Sequence, residues 1–139
     1  MESMNKMELV NLEKEHYEDL IRIHDQIFPE IYISGREIVE KIGVNRDVFV
    51  LSEETELDAY CVLRYWENSD NITVEILGVD EEKRGKGYGR KLLSNVLDYI
   101  FSERFKSANL IVDADNEKAI SLYTSLGFKI QKIDLHYTL

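Results

Sequence analysis

The junction between an apolar strand and an amphipathic helix, near the middle of the chain, restricts the fold more than any other segment. Residues 72–79 are mostly apolar and predict a strand, and from residue 92 onward apolar side chains recur at helical spacing. Between them, glycines stand at every second position from 85 to 89. A strand followed by a helical crossover returns to the sheet parallel to itself. The sequence therefore predicts an α/β structure with a mixed sheet.

The glycine loop also has the composition of an anion-binding site. The chain has a formal net charge of −10, yet this loop and its helix carry a run of cations, namely Lys83, Arg84, Lys86, Arg90 and Lys91. Glycines let backbone N–H groups approach a ligand, and a helix N-terminus adds unpaired donors and the positive end of its dipole. We expect this loop to bind a polyanion such as a pyrophosphate.

Several loop types satisfy that chemistry. The P-loop spacing G-x-x-x-x-G-K-[ST] is absent. A dinucleotide fingerprint needs G-x-G-x-x-G close to the strand end, whereas here the glycines run G-x-G-x-G after five intervening residues. This alternative stays open because a strand–helix–strand unit follows the loop. A solvated basic turn that binds no ligand is a further alternative. The pattern R-x-x-G-x-G is matched by Arg84, Gly87 and Gly89.

A second motif extends the match. Residues 116–128 fit N-x-x-A-x-x-L-Y-x-x-L-G-F. Together with the strand and loop before it, this segment resembles the GNAT superfamily of N-acetyltransferases. The resemblance is strong from about residue 46 to 133 and only topological over the first 45 residues. It implies an α/β GNAT fold, a twisted mixed sheet of about seven strands with about four helices, splayed between strands 4 and 5.

Composition limits the remaining possibilities. The 139 residues, 44% hydrophobic and 32% charged, fit a single domain over 1–139. The apolar runs are too short to span a bilayer and the N-terminus lacks a signal-peptide core, so a cytoplasmic protein without membrane contact is expected. The acidic balance argues against nucleic-acid binding. Cys61, in an apolar run, is expected to be a buried inert thiol. His16, His24 and His136 lack metal-ligand spacing, so no metal is expected, and His24 is expected to pack in the core or line a cleft.

Periodicity and breakers predict the order of the elements. Strands are expected at 7–12, 47–52, 58–66, 72–79, 108–113, 127–133 and 135–139. Helices are expected at 14–28, shortly after Gly35, at 88–104 and from Asn116 to Leu126. Pro29 should stop the first helix, and Gly127 should close the last one. The helix at 88–104 is expected to bury Leu92, Leu93, Val96, Leu97, Ile100 and Phe101.

The resemblance implies acetyl-CoA as cosubstrate and an N-acetyltransferase activity. In the family the pantetheine arm bonds to the exposed edge of the fourth strand, which here means the backbone of Leu77, Gly78 and Val79. Gly78 suits a bulge or a close backbone approach. The full set expected to bind the cofactor is Leu77, Gly78, Val79, Arg84, Gly85, Lys86, Gly87, Tyr88, Gly89, Arg90, Asn116 and Tyr123.

Two residues of the second motif have alternative roles. Tyr123 matches the family tyrosine that protonates the departing thiolate, and a phenol with pKa about 10 keeps its proton at neutral pH. It is alternatively a helix tyrosine packed on the sheet. Asn116 matches the family asparagine that contacts the cofactor, although capping its own helix explains it equally well.

Glu75 is the candidate general base, as the single ionisable residue of an otherwise apolar strand. Simple alternation places it with Thr73, Leu77 and Val79, and partial burial should raise its pKa. A solvated or ion-paired glutamate is the alternative, and an amine that arrives neutral needs no base. Some relatives that acetylate protein N-termini carry a glutamate on the fifth strand, where this chain has Ile111.

The predicted reaction is direct attack of a primary amine on acetyl-CoA, since no credible nucleophile for a covalent intermediate stands out. A non-catalytic acyl-CoA-binding module on the same fold is the alternative. The acceptor, a small molecule or peptide, is expected to meet residues 28–36, His136 and Tyr137. A C-terminal strand at 134–139 could pair across a homodimer.

Overall fold

The computed structural model describes residues 6–9, 14–53, 56–103, 105–112 and 115–129. In chain order the elements are β1 (Lys6–Leu9), α1 (Lys14–Ile27), α2 (Gly35–Lys41), β2 (Arg46–Glu53), β3 (Glu56–Tyr65), β4 (Asn71–Val79), α3 (Tyr88–Ser102), β5 (Ser107–Asn109) and α4 (Glu117–Ser125), with a 3-10 turn at Glu81–Lys83. This order confirms the prediction as far as α4. Of the last two predicted strands, residues 127–129 are described and are not a strand, and the rest lies outside the described residues.

The five strands form one mixed sheet in the order β1-β2-β3-β4-β5. The first four are antiparallel to their neighbours, and β5 runs parallel to β4. The predicted parallel return through the α3 crossover is therefore confirmed. The pairing of β5 is short, since it ends at the pair Thr73–Asn109. Within the described part of the chain, the strand predicted at 108–113 is thus shorter than expected.

Helices cover both faces of the sheet. What we call the first face packs against α1 and α2, with Leu20 and Ile38 at its centre. The second face packs against α3 through the buried side chains Leu92, Leu93, Val96 and Ile100. The expectation for Phe101 was wrong, because its side chain is 55% exposed near the end of the helix. No helix in the described ranges is long and apolar enough to cross a membrane.

The connection between α1 and α2 is held closely to the sheet. The first helix ends at Ile27, two residues before Pro29, as predicted. A capping box begins α2, in which Ser34 Oγ accepts from the Glu37 N–H at 3.2 Å and Glu37 Oε1 accepts from the Ser34 N–H at 2.9 Å. A Cβ at Gly35 would lie 2.7 Å from Ile21 Cα, so glycine lets the helices meet backbone to backbone. The connection is thereby placed over the first face.

Candidate functional site

The loop after β4 is shaped by two glycines in the left-handed region. Gly85 and Gly87 both have φ of +82°, and a Cβ at either position would meet only open space. Gly87 is the N-cap of α3 and provides no side-chain acceptor for the first N–H groups of that 15-residue helix. The loop thus directs unpaired backbone donors and the positive end of a helix dipole outward, which is the chemistry of an anion site.

Lys83, one of the five cations in this segment, has a structural role. Its Nζ lies 2.7 Å from Asp58 Oδ1, and the Asp58 side chain is only 1% exposed. The hydrogen bond to Asp58 is the main cause of a raised pKa for Lys83. Lys83, which is not in the set expected to bind the cofactor, therefore ties the turn after β4 to β3.

The other cations lie closer to the glycines. Arg84 Nε donates to the Val79 carbonyl at 3.3 Å, which holds the loop against the end of β4. Arg90 Nη2 donates to Ser125 Oγ at 2.5 Å and joins α3 to α4. Lys86 is exposed. These side chains surround the loop with positive charge.

The outer edge of β4 is open beyond Thr73, in the sense that no strand among the described residues pairs with it there. On the inner edge, the Asp80 N–H donates to the Asp58 carbonyl at 3.0 Å. Since the direction of backbone groups alternates along an antiparallel strand, Leu77 and Val79 direct theirs to the outer edge. An extended ligand alongside β4 could bond to Leu77 and to the Val79 N–H, since the Val79 carbonyl already accepts from Arg84.

Gly78 has a different role from the one expected. It pairs with Tyr60 of β3, so its own backbone groups point to the inner edge. A Cβ on Gly78 would lie 2.4 Å from Tyr60 Cε1. The glycine therefore makes room for a buried aromatic ring, and the contacts at the outer edge are left to its two neighbours.

A β-bulge interrupts β4 at Glu75. Val62 pairs with Ile76 and Leu63 pairs with Val74, so Glu75 has no partner of its own on β3. Ile76 consequently belongs to the first face, whereas Val74 belongs to the second. The expected simple alternation, which put Val74 and Ile76 on one side, was wrong for this reason.

Glu75 is fixed by two side chains on the first face. Arg46 Nε lies 2.7 Å from Glu75 Oε1 and Arg46 Nη2 lies 2.9 Å from Oε2. The Tyr32 hydroxyl, from the connection between α1 and α2, also donates to Oε2. The side chains of Arg46 and Glu75 are 8% and 7% exposed. Leu77 and Val79, predicted to share the side of Glu75, pack into the second face instead.

These contacts set the protonation states. Burial is the largest influence on the Glu75 pKa and raises it, but the hydrogen bonds and charges of its partners together lower the pKa below its ordinary value. The prediction of a raised pKa was therefore wrong. Tyr32 is 67% exposed as a residue, but desolvation of its hydroxyl at this contact, followed by the bond to Glu75, raises the pKa of Tyr32 to about 12. At neutral pH, Glu75 is ionised and Tyr32 keeps its proton.

The second motif forms α4 and its ends. Asn116 Oδ1 accepts from the Ala119 N–H at 3.2 Å, which confirms the predicted N-cap. Gly127 follows the helix with φ of +104°. Tyr123 is half-buried on the second face, where its ring centroid lies 6.0 Å from that of Phe128. Burial raises the pKa of Tyr123, so the phenol stays protonated at neutral pH.

The sequence that forms the β4 edge, the glycine loop and the α3 N-terminus lies within a match to a known family. Residues 14–128 match the sequence profile of the Acetyltransferase (GNAT) family. The chain belongs to this family. The assignment confirms the resemblance carried by the two motifs.

A curated relative of this GNAT chain is much longer than the chain itself. The mycothiol acetyltransferase of Kytococcus sedentarius is 26% identical over 127 residues, which cover 84% of this chain and 43% of that protein. This chain thus spans less than half the length of that relative.

Solved structures share the GNAT architecture. The aminoglycoside acetyltransferase meta-AAC0020 from an uncultured soil metagenomic sample, in complex with sisomicin, has a TM-score of 0.77 at 19% identity, covering 98% of this chain and 97% of that one. An acetyltransferase of Bacillus subtilis in complex with CoA has a TM-score of 0.73 at 21% identity, covering 94% and 80%. At these identities the structures support the fold.

Two residues of the GNAT core are structural, as expected. Cys61 is fully buried, and burial raises the pKa of its thiol to about 12, so the thiol is inert at neutral pH. His24 is buried with Nε2 2.8 Å from the Ile33 carbonyl and Nδ1 2.5 Å from the Tyr60 hydroxyl. Because a carbonyl only accepts, Nε2 carries the proton and Nδ1 accepts from Tyr60.

Sequence reasoning missed Arg46 and Arg64, the two arginines of the first face. Both stand at positions whose neighbours at i+2 or i−2 are buried valines, Val48 and Val62. An arginine two positions from a core valine on the same strand is the signal that its side chain points to the buried face of the sheet. Among the expected acceptor residues, His136 and Tyr137 lie outside the described residues. Ile111, where some relatives have a glutamate, is 93% exposed.

The candidate catalytic residues lie on opposite sides of the sheet. Glu75 lies on the first face with Tyr32, and Tyr123 lies on the second face beside α3. The open outer edge of β4 connects the two sides. Ligands in that opening could meet a carboxylate on one side and a protonated phenol on the other. This arrangement suits transfer of an acyl group from one ligand to another.

Proposed function

We propose that this chain is an acetyl-CoA-dependent N-acetyltransferase that transfers acetyl directly to a primary amine. The observation that carries the proposal is the open β4 edge, whose outward backbone groups at Leu77 and Val79 lead into the uncapped N-terminus of α3. The pyrophosphate would sit on the loop from Arg84 to Arg90, and the pantetheine would lie along the strand edge. The match to the GNAT family supports acetyl-CoA as the acetyl donor.

In this proposal each face of the sheet contributes a different group to the reaction. The amine nitrogen attacks the thioester carbon from the side of Glu75, and an outward N–H of β4 donates a hydrogen bond to the oxyanion, which is typically worth about 3 kcal/mol. The carbon–sulfur bond breaks toward the second face, where the Tyr123 hydroxyl gives its proton to the thiolate. The products are an N-acetylated acceptor and free CoA.

Glu75 acts on the amine in a restricted way. An amine with a pKa near 10 does not give its proton to a carboxylate whose pKa is below its ordinary value. The nucleophile is therefore the neutral form of the amine. Glu75 orients it and takes a proton from it, directly or through water, as the carbon–nitrogen bond forms and the nitrogen becomes acidic. Arg46 and Tyr32 hold the carboxylate in place for this role.

The donor site is tested with a matched pair of glycine variants. Gly87 and Gly43 have φ of +82° and +88°, and a Cβ at either would meet nothing. Gly87→Ala and Gly43→Ala should therefore lose similar stability, but only Gly87→Ala places a methyl group in the anion loop. Thermal unfolding is measured with acetyl-CoA, CoA, NAD and ATP. A ligand at a hundredfold excess over Kd stabilises by about 2.7 kcal/mol, or several degrees.

We expect acetyl-CoA and CoA to raise the midpoint of the wild type and of Gly43→Ala, and to act much less on Gly87→Ala. A folded wild-type protein that acetyl-CoA does not stabilise contradicts the proposal. A response to NAD alone would favour the dinucleotide interpretation of the loop.

Tyr123→Phe separates an enzyme from a non-catalytic acyl-CoA-binding module. The variant should bind CoA with unchanged affinity while CoA release in the presence of an accepted amine falls about 10²–10⁴-fold, the usual contribution of a general acid. Unchanged turnover would make Tyr123 a packing residue.

A further inference from the structure

Arg64 is a cation of the first face with no ion-pair partner among the described residues. It stands opposite Arg46 on β2 and opposite Thr73 on β4. Its Nε is buried and has no hydrogen-bond partner in the described part of the chain. Arg46, by contrast, is fully engaged, since two of its nitrogens bind Glu75 and Nη1 lies 3.3 Å from Asn45 Oδ1.

The Arg64 guanidinium is held in place by an aromatic ring. Its Cζ lies 4.3 Å from the ring centroid of Trp66. The Trp66 indole N–H donates to Thr73 Oγ1 at 2.8 Å, and that hydroxyl donates to Asn109 Oδ1 at 2.7 Å. Asn109 is the last residue of β5 that pairs with β4. The chain of contacts therefore fixes Arg64 beside the point where the two strands part.

Among the side chains that contact one another here, one cation is in excess. Arg46 and Glu75 neutralise each other, and the groups bonded to Glu75 and to the Trp66 ring, Tyr32 and Thr73, are neutral. Three carboxylates, Asp47, Glu67 and Asp70, line the depression that Arg46 and Trp66 also border, but none of them forms an ion pair with Arg64 in the described part of the chain. Arg64 is close enough to Glu75 and Tyr32 for its charge to lower the pKa of both. A single surplus positive charge, in a chain of net charge −10, matches a single negative charge on a ligand.

We propose that the amine acceptor also carries a carboxylate, and that Arg64 binds this carboxylate while Glu75 receives the amine. A planar guanidinium binds a carboxylate through two parallel hydrogen bonds. One surplus charge fits a carboxylate better than a phosphate dianion. This inference rests on the proposed function, and it narrows the acceptor to amino acids and other amines with a nearby acid group.

The test compares acceptors in matched pairs, with CoA release as the readout. Lysine, glutamate and phenylalanine are each assayed against their carboxamide and their decarboxylated amine. We expect kcat/KM to be at least tenfold higher for the acid of an accepted pair. In Arg64→Gln this preference should fall about 10–100-fold through the KM of the acceptor, with the KM of acetyl-CoA unchanged. Arg64→Lys should keep part of the preference.

Lys41→Gln is the control, since it removes an exposed positive charge at the end of α2 and should keep the preference. Equal turnover of acids and amides by the wild type overturns this inference and leaves the acetyltransferase proposal standing. A preference for acids that survives in Arg64→Gln overturns the role of Arg64. No turnover of any acceptor by a folded protein that acetyl-CoA also fails to stabilise overturns both proposals.

Discussion

Replacing Arg46 by methionine tests how Glu75 is held. The two side chains are 8% and 7% exposed and share two hydrogen bonds of 2.7 and 2.9 Å. Removing one member of a buried ion pair typically costs about 3–5 kcal/mol. Tyr32 still donates to Glu75 in the variant, and the carboxylate can take up a proton, so we expect a loss of about 2–4 kcal/mol at pH 7.

The loss should depend on pH with a definite sign. In the wild type the Glu75 pKa lies below its ordinary value, which is about 4.3 in an unfolded chain. Its ionised form therefore stabilises the fold above that pH, and the contribution disappears as the pH falls through the native pKa. In Arg46→Met burial is no longer opposed by the arginine, so the Glu75 pKa rises and the charged form destabilises the fold. The difference between the two proteins should shrink toward pH 4.

Urea denaturation at pH 7 and pH 4 measures this difference. The double variant Arg46→Met, Glu75→Gln should recover most of the stability lost at pH 7, because no unpaired charge remains buried. A loss of equal size at both pH values, with no recovery in the double variant, would refute the reasoning and assign the cost to packing of the Arg46 stem.

Three further predictions concern the scaffold, and urea denaturation measures each of them. Gly35→Ala should cost about 1–3 kcal/mol, because the new Cβ would lie 2.7 Å from Ile21 Cα and backbone cannot move aside easily; wild-type stability would show that the helices can separate. Asn116→Ala should cost about 1 kcal/mol and Asn116→Ser much less, because serine also caps; an equal loss in both would argue against the cap. Lys83→Met should cost about 1–3 kcal/mol by weakening the hydrogen bonding of the buried Asp58, whereas the same change at the exposed Lys106 should be nearly neutral.

The sequence predicted local structure well where local signals decide it. Pro29 ends α1, Asn116 caps α4 and Gly127 follows it, because each acts through backbone geometry within a few residues. Apolar spacing likewise identified the buried face of α3. Phe101 was misjudged because it lies at the edge of the apolar stripe, one turn after the partly buried Leu97, while its neighbour Ile100 is fully buried.

The site could not be predicted to the same depth, because its contacts join distant parts of the chain. Glu75 meets Arg46 across 29 residues and Tyr32 across 43. Its pKa depends on those partners, so burial alone suggested the wrong direction. The bulge was hidden as well, since burial still alternates regularly along β4 while the faces change at Glu75. Only the pairing with β3 reveals it.

That bulge makes Glu75 an insertion in an otherwise regular ladder. If Glu75 were deleted, Val74 and Ile76 would become consecutive residues, and they already pair with the consecutive residues Leu63 and Val62. Every other side chain of β4 would keep its present face. Eight of the nine residues of β4 are therefore enough to build a regular strand, and Glu75 is one additional residue that serves the site. Gains or losses of a single residue in this strand should then be tolerated by the fold at position 75 and nowhere else along it, which ties the evolution of strand length to the evolution of the site.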